Sequence, residues 1–463
     1  MPARDAARVA SELDRLALLR YVEPERTRGT LGWPSLAPDP LARQEWHLER
    51  VDAAEVEPPG PGVPITMIDT GVDVAHEEFA GRPETTLLDQ QDVSAADPVN
   101  DHGTATASTA GAPVNGKGLV GVYPRARLRV YDLPGLTDGT LVAALDAATA
   151  AGPGVINLSL GGPGFSRALH EATLRAFAGG SLIVAAAGNE FLDGNPIIYP
   201  ANYPHVLTVA ATDKRDDHSV FSSSSTAVDL AAPGEAIPVA VPRAFEPSGY
   251  AVFDGTSFSS PIVAAAAAWV WTVRGPSLDR TQVFDLMRYS ARDIAAKGFD
   301  ERTGFGLLDL GTALVRPIPA LDPFEPNDDV DQVRAGGVFA EAKPVLVGRR
   351  IQATRVLARL DIDEDPDDVY RVVVPAGRTL DVTVRSPGDV GVIVWRLGTR
   401  SVYETGPAAA RDQLAGSDRP GPGRERVRWT NRARRDVTVL LNVWIPQRAD
   451  DLNPPYVLRA SVR

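Results

Sequence analysis

The sequence predicts two units of different class: a doubly wound α/β domain on a mostly parallel sheet, then an all-β, jelly-roll-like sandwich. Three observations carry this. From Ile65 to about Leu314, short and nearly all-apolar runs alternate with helical patterns, as expected of strands buried on both faces of a parallel sheet. Beyond Leu314 the residues alternate strictly between apolar and polar, with few helix signals, the pattern of half-buried antiparallel strands. Between the two lies RPIPALDPFEPNDD, Arg316 to Asp329, a Pro/Asp-rich linker.

Taken in order, Val9, Leu13, Leu16 and Leu19 space an amphipathic helix near the N-terminus, with no apolar core of signal-peptide length. EPPGPGVP, Glu57 to Pro64, is a turn. Buried strands are predicted at Ile65–Asp69, Leu128–Leu133, Val155–Leu160, Ser181–Ala187 and Val206–Ala211, with helices at Thr140–Ala151 and Arg167–Ala178. DGTSFSSPIVAAAAAW, Asp254 to Trp269, reads as a buried helix starting near Ser257. Pro261 then falls in its first turn, where a missing N–H does no harm. In the C-terminal part Leu380, Val382 and Val384 alternate with Asp381, Thr383 and Arg385, and Tyr456, Leu458, Ala460 and Val462 repeat the pattern. The expected division is 1–38, an N-terminal extension or prosegment remnant; 39–316, the α/β domain; 317–330, a linker; and 331–463, the β-sandwich.

Composition narrows the function classes. The 463 residues suit two or three domains and the 44% hydrophobic content suits large cores. The formal net charge of −13 argues against nucleic acid or an anionic membrane as the main partner. There is no cysteine, so disulfides and thiol chemistry are excluded. The longest apolar run, Ile262 to Val273, contains Thr272 and is too short to span a bilayer. A monomer is expected.

Four side chains stand at the ends of predicted elements. Asp69 closes ITMID ahead of Thr70-Gly71; it could cap the next helix or face a cleft. Of the six histidines, His170 reads as surface, His205 and His218 as bland, His47 as packing beside Trp46, and His76 as part of a polar stretch. His102 differs, because NDHGTATASTAGA puts it at a turn before a small-residue helix; a structural role and a catalytic one are both open. Asn189 follows a buried strand and Gly188, as a turn residue or as an amide donor of the kind an oxyanion hole needs. Ser257 stands at the positive end of the buried helix, as a cap or as a nucleophile. Together they supply what acyl transfer requires. A serine is activated by a neutral imidazole, the imidazole is held by a carboxylate, and fixed donors face the developing oxyanion.

The stretches MIDTGVDVAHEEF, NDHGTATASTAGA, VINLSLGG, VAAAGNE, YPANYPHVLTVAAT, DLAAPG and DGTSFSSP, in this order, resemble the subtilisin-like serine peptidases. The resemblance runs from about Asp39, since DPLARQEWHLERV is similar to the family's mature N-terminal segment, to Leu314. The Asp…His…Ser order is itself known for subtilisin. The resemblance implies a serine endopeptidase in which Asp69 orients, His102 is general acid/base, Ser257 attacks, and Asn189 with the Ser257 N–H holds the oxyanion. It also implies that Ser159, Leu160 and Gly161 pair with an extended polypeptide substrate, while Ala186, Ala187 and Gly188 wall the primary specificity pocket. Glu190 then sits at that pocket's rim, favouring basic or polar side chains, or is plain surface charge. No cofactor is required by this chemistry. The family's structural calcium has no assigned ligands here, and its secretion is set against the absence of a signal peptide.

Phe258, Ser259 and Ala105 depart from the family pattern of Met, Ala and His. Phe258 and Ser259, beside the nucleophile, leave an alternative standing: a catalytically silent peptide-binding protein of the same fold. A lipase or esterase would need a G-x-S-x-G elbow, which Ser257 lacks. DPFEPNDD and DDVYRVVVPAGRTLDVTV resemble a pre-peptidase C-terminal domain. The acidic run DIDEDPDD, Asp361 to Asp368, reads as a solvated loop rather than a calcium loop, having no EF-hand Gly and Glu. RERVRWTNRARR, Arg424 to Arg435, reads as a solvated strand face rather than a nucleic-acid site.

Overall fold

A computed structural model describes residues 39–89, 101–275, 277–446 and 453–463. The N-terminal helix expected within 1–38 lies outside the described residues. The α/β part is a seven-stranded parallel sheet in the order β2-β3-β1-β4-β5-β6-β7, with β1 Ile65–Asp69, β2 Thr85–Leu87, β3 Leu128–Asp132, β4 Val155–Leu158, β5 Leu182–Ala186, β6 Val206–Thr212 and β7 Val228–Pro233. All six strand pairings are parallel. β1, β4, β5, β6 and β7 are buried along their whole length, which explains their unbroken apolar runs: both faces are covered. On one face pack α1 (Asp101–Gly111) and the long helix α4 (Thr256–Arg274); on the other pack α2 (Asp138–Ala150) and α3 (Arg167–Ala178). α5 (Arg280–Ser290) follows α4.

The sequence reading places β4 two residues too far and misses β2 and β7. β2 is a three-residue edge strand with no buried residue, so it carries no hydrophobic period. In β7 the two small residues Ala231 and Ala232 and a terminal Pro233 disguise a strand. Helix α4 is long and apolar enough to cross a membrane by length and composition, yet 83% of its apolar stretch is buried inside the protein. Ala264 to Ala268 let it lie close against the sheet, and Trp269 fills the space beside Tyr123, ring centroids 5.8 Å apart.

The C-terminal part is a sandwich of two sheets. One has the order β8-β10-β15-β12-β13 and the other β9-β16-β11-β14, where β8 is Val345–Val347, β9 Ala353–Arg359, β10 Asp367–Val374, β11 Thr379–Ser386, β12 Gly391–Arg396, β13 Gln413–Ser417, β14 Gly423–Thr430, β15 Val437–Trp444 and β16 Pro455–Val462. Leu380, Val382 and Val384 face a core shared with Val372, Val439 and Leu458, as the alternation predicts.

The acidic run and His205 overturn their sequence readings. Asp361, Glu364, Asp365 and Asp368 are buried, because this loop docks against the α/β part rather than facing water. His205 is buried too. Its N–H donates to Glu364 Oε2 at 2.8 Å and its Nε2 lies 3.0 Å from Asp328 Oδ2. Arg288 of α5 bridges the two units, with Nε 3.0 Å from Asp229 Oδ1 and Nη1 2.9 Å from Asp361 Oδ2. Asp229 closes its side from β7.

Candidate active site

The carboxyl ends of the central strands and the start of α4 meet in one region, where a doubly wound sheet collects functional groups. Asp69, the last residue of β1, is 2% exposed. Its Oδ1 accepts from the Thr70 N–H and from His102 Nδ1, each at 2.8 Å. Its Oδ2 accepts from Thr106 Oγ1 at 3.0 Å. A carboxylate can only accept here, so Nδ1 carries the proton and Nε2 of a neutral ring is the basic nitrogen. His102 sits in the first turn of α1, held close to β1 because Gly103 lies against the backbone of Gly71. A Cβ at Gly103 would come within 2.0 Å of Gly71 O. The negative charge of Asp69 raises the His102 pKa above its ordinary value, against an opposing contribution from burial.

Ser257 is the second residue of α4. Pro261 lies one turn deeper than the sequence reading puts it, so it would have supplied the N–H for the Ser257 carbonyl. That carbonyl accepts instead from Ser159 Oγ at 2.7 Å. Ser159 Oγ accepts in turn from Asn157 Nδ2 at 2.9 Å, and Asn157 Oδ1 accepts from Ser260 Oγ at 2.5 Å. This buried chain runs from the end of β4 to α4 and ties the turn that carries Ser257 to the sheet. The Ser257 hydroxyl lies 3.3 Å from Ser159 O, a long and weak contact. The ring of the next residue, Phe258, lies 6.1 Å from that of His102. Phe258 is buried with Ala105, Ile237 and Val239; the small Ala105 leaves space for the larger ring. Ser259 points away, donating to Ala232 O and Pro233 O.

Asn189 is exposed, after β5. Its Oδ1 accepts from the Thr256 N–H at 2.9 Å and from Thr256 Oγ1 at 3.0 Å. Both contacts require an acceptor, so Nδ2 keeps its two N–H donors for another partner. Thr256 Oγ1 also accepts from the Gly188 N–H at 3.2 Å. One threonine thus orients both the amide and the backbone before it.

Among the substrate-pocket expectations, Ser159 and Ala186 to Ala187 are buried, Leu160 is half-buried and Gly161 is exposed. Gly161 precedes a two-residue strand, Gly162–Pro163, paired antiparallel with Ile198–Tyr199. Glu190 folds back: its Oε2 accepts from the Asn189 N–H at 2.7 Å. Gly188 takes φ +108°, and a Cβ there would meet that same Oε2 at 2.6 Å. Sequence reasoning missed Thr256, Thr106, Asn157 and Ser260. Their signal was present as polar residues inside otherwise apolar or small-residue runs.

A second group of side chains could hold a metal. Ligand oxygens of Asp322, Glu325, Asp365 and Asp368 lie within 4.8 Å of one another. Neither carboxylate oxygen of Glu325 has a hydrogen-bond partner, nor does Asp322 Oδ1 or Asp365 Oδ1, although all are buried. Burial pushes the carboxyls of Asp322, Glu325 and Asp365 well above the usual carboxylate range, and neighbouring carboxylates push in the same direction. An all-oxygen, acid-rich set with unmet acceptors fits a hard cation such as calcium.

A doubly wound parallel sheet with an acid on β1, an imidazole on the following helix and a hydroxyl at the head of a buried helix is the arrangement of the subtilisin-like class. Residues 60–306, more than half of the chain, match the model of the subtilase family. The chain belongs to the subtilase family. It is 30% identical over 359 residues to fervidolysin of Fervidobacterium pennivorans, covering 65% of this chain and 51% of that protein. It is 34% identical over 260 residues to subtilisin DY of Bacillus licheniformis, covering 55% of this chain and 91% of that one. The chain thus spans about half the length of fervidolysin and most of subtilisin DY. The crystal structure of fervidolysin covers 88% of this chain and 56% of its own at a TM-score of 0.54 and 23% identity. The psychrophilic protease Apa1 of an Antarctic Pseudoalteromonas covers 58% and 96% at a TM-score of 0.50 and 20% identity. Both show the same fold.

Proposed function

We propose that this chain is a serine endopeptidase acting through an acyl-enzyme. The observation that carries the reading is the 2.8 Å bond from His102 Nδ1 to a buried Asp69, on a fold that presents Ser257 at the head of α4. Ser257 Oγ attacks the scissile carbonyl carbon while His102 Nε2 takes its proton. The carbonyl oxygen becomes an oxyanion facing Asn189 Nδ2 and the Ser257 N–H. Collapse breaks the C–N bond, and His102 returns the proton to the leaving amine. Water then repeats the sequence and frees the acid. The substrate is an extended polypeptide pairing with Ser159 to Gly161. Ala186, Ala187 and Gly188 leave room for a large side chain; Glu190, with its carboxylate beside Gly188, disfavours an acidic one.

A fluorophosphonate probe tests the reading: labelling of the wild-type chain and none of Ser257→Ala is expected. The silent-binder reading draws on the contact of Ser257 Oγ with Ser159 O, which turns the hydroxyl toward a carbonyl. A folded chain that resists the probe would establish it.

Two further results are expected. Asn189→Ala lowers kcat by about 10²–10³ with KM little changed, the size known for this kind of donor in subtilisin. The rate falls with acid as His102 protonates. Because Asp69 raises the His102 pKa, Asp69→Asn moves the acid limb of kcat/KM to lower pH while reducing the plateau. A limb that stays in place would remove Asp69 from this role.

The C-terminal sandwich is read as a pre-peptidase C-terminal domain in the division 39–316, 317–330 and 331–463, and the protein as a monomer acting outside the cell. Its relatives include the minor extracellular protease Epr of Bacillus subtilis. Asp322, Glu325, Asp365 and Asp368 would hold a structural calcium, which supplies charge neutralisation and no step of the reaction. Calcium at about 100 times its dissociation constant then adds about 2.7 kcal/mol. The Tm of a Ser257→Ala chain therefore rises on calcium addition after chelation, and Glu325→Gln with Asp365→Asn removes part of the rise.

A further inference from the structure

The outer face of the four-stranded sheet is a field of arginine on an acidic protein. Strand alternation turns Arg355 of β9, Arg459 of β16, Arg385 of β11, and Arg424, Arg426 and Arg428 of β14 outward, and all six are exposed. At the same outward positions the one acidic residue is Asp381, covered by Arg426, whose Nη2 lies 2.7 Å from Asp381 Oδ2. The chain as a whole carries a formal charge of −13, so this face runs against the general balance.

The register sharpens the point. Arg385 stands directly across from Arg424, and Arg355 directly across from Arg459. Like charges directly opposite each other destabilise a sheet. Arg355, Arg385, Arg424 and Arg459 make no ion pair with any described residue. Guarding a sheet edge against pairing with another chain accounts for charges on β14. It does not account for Arg385 and Arg459 on the inner strands β11 and β16. Two repulsive pairs, each joining an edge strand to an inner one, are a cost to folding that an outside anion would offset.

The rows also have the regularity of a polymer site. Arg426, Thr383, Arg459 and Arg355 form one row across all four strands, with strands about 4.8 Å apart. Arg424, Arg426 and Arg428 form a ladder along β14 with steps of about 6.8 Å. All six are arginines, whose planar forks match carboxylate and sulfate oxygens. Hydroxyls of Thr379, Thr383, Thr430 and Ser461 lie at the outward positions between them. No aromatic residue occupies an outward position of this sheet, so it offers no platform for stacked bases. Beyond β14, a groove of about 930 Å³ has Arg432 and Arg435 on its wall, together with Asp436, and carries the run of arginines past the end of the strand.

We propose that this face binds a linear anionic polysaccharide, carrying uronate or sulfate groups, and keeps the protein on such a matrix. The site is separate from Ser257 and stands whether or not the chain is a peptidase. The full chain carrying Ser257→Ala is passed over alginate, heparin, neutral dextran and single-stranded DNA. Retention on alginate and heparin that weakens with salt is expected, and none on dextran. Arg385→Ser with Arg424→Ser, and separately Arg355→Ser with Arg459→Ser, each weaken that retention about tenfold, or about 1.4 kcal/mol. Each pair removes a repulsion, so Tm stays level or rises, which separates lost binding from lost folding. Equal retention on dextran, tighter retention on DNA, or full retention by both double variants overturns the proposal.

Discussion

Ser257→Ala is expected to lower kcat by about six orders of magnitude, the loss known for removal of the nucleophile in subtilisin, and to leave the Tm unchanged. The size follows from what the hydroxyl does. It is the one atom that forms the covalent intermediate, so without it neither the imidazole nor the oxyanion donors have a reaction to accelerate by this route. The residual rate over water, about 10³–10⁴, then reports the oxyanion donors and substrate binding alone. Stability should not change, because the contacts that fix this turn are made by the Ser257 carbonyl to Ser159 and by Thr256 to Asn189. Peptide hydrolysis and thermal unfolding of the same preparation check both halves. A variant retaining a tenth of the activity would sink the acyl-enzyme account.

Arg288→Ala should give the largest loss of stability, about 3–5 kcal/mol, since it strands buried carboxylates without their cation. Arg288 is 5% exposed and Asp229 is 1% exposed. Arg288 also stacks over Phe305, with the guanidinium carbon 4.7 Å from the ring centroid. Burial opposes the charge of Arg288, but Asp361 and Asp229 outweigh it and hold its pKa above the ordinary value. Burial pushes the Asp229 carboxyl up to about 7, with Arg288 pulling it down. The sign of the pH effect follows. Below about pH 4 the carboxyl is protonated in both the folded and unfolded chain, and its penalty is absent. The penalty grows as pH rises toward 7 and is complete above it. In the variant the folded-state pKa climbs further, so the deficit against the parent chain widens toward alkaline pH. Denaturant unfolding of the Ser257→Ala chain at pH 5 and pH 8, with and without Arg288→Ala, measures it. A deficit larger at pH 5 would contradict the ion-pair explanation.

Much of this arrangement was legible in the sequence, for identifiable reasons. The strands of the parallel sheet are covered on both faces, so they appear as apolar runs. The sandwich strands are covered on one face, so they alternate. Asp69, His102, Asn189 and Ser257 were visible because each stands where an element ends, next to Gly or Thr. The acidic run Asp361 to Asp368 misled because charge density predicts solvent. Burial here depends on partners far away in the chain: Arg288 for Asp361, and the His205 N–H for Glu364. A local reading cannot pair residues 73 or 159 positions apart. His205 was misjudged for the same reason. Asn157, Ser159 and Ser260 form a chain whose members come from β4 and α4, and the reason for it, a proline one turn too deep, appears only when the helix start is fixed at Thr256.

That proline has a mechanical consequence. Ser159 both begins the segment expected to receive the peptide and grips the carbonyl that Pro261 leaves open on Ser257. Rail and nucleophile are therefore one moving part. A peptide that draws the rail toward itself draws the attacking residue with it, so grip on the substrate and aim at its bond are set together.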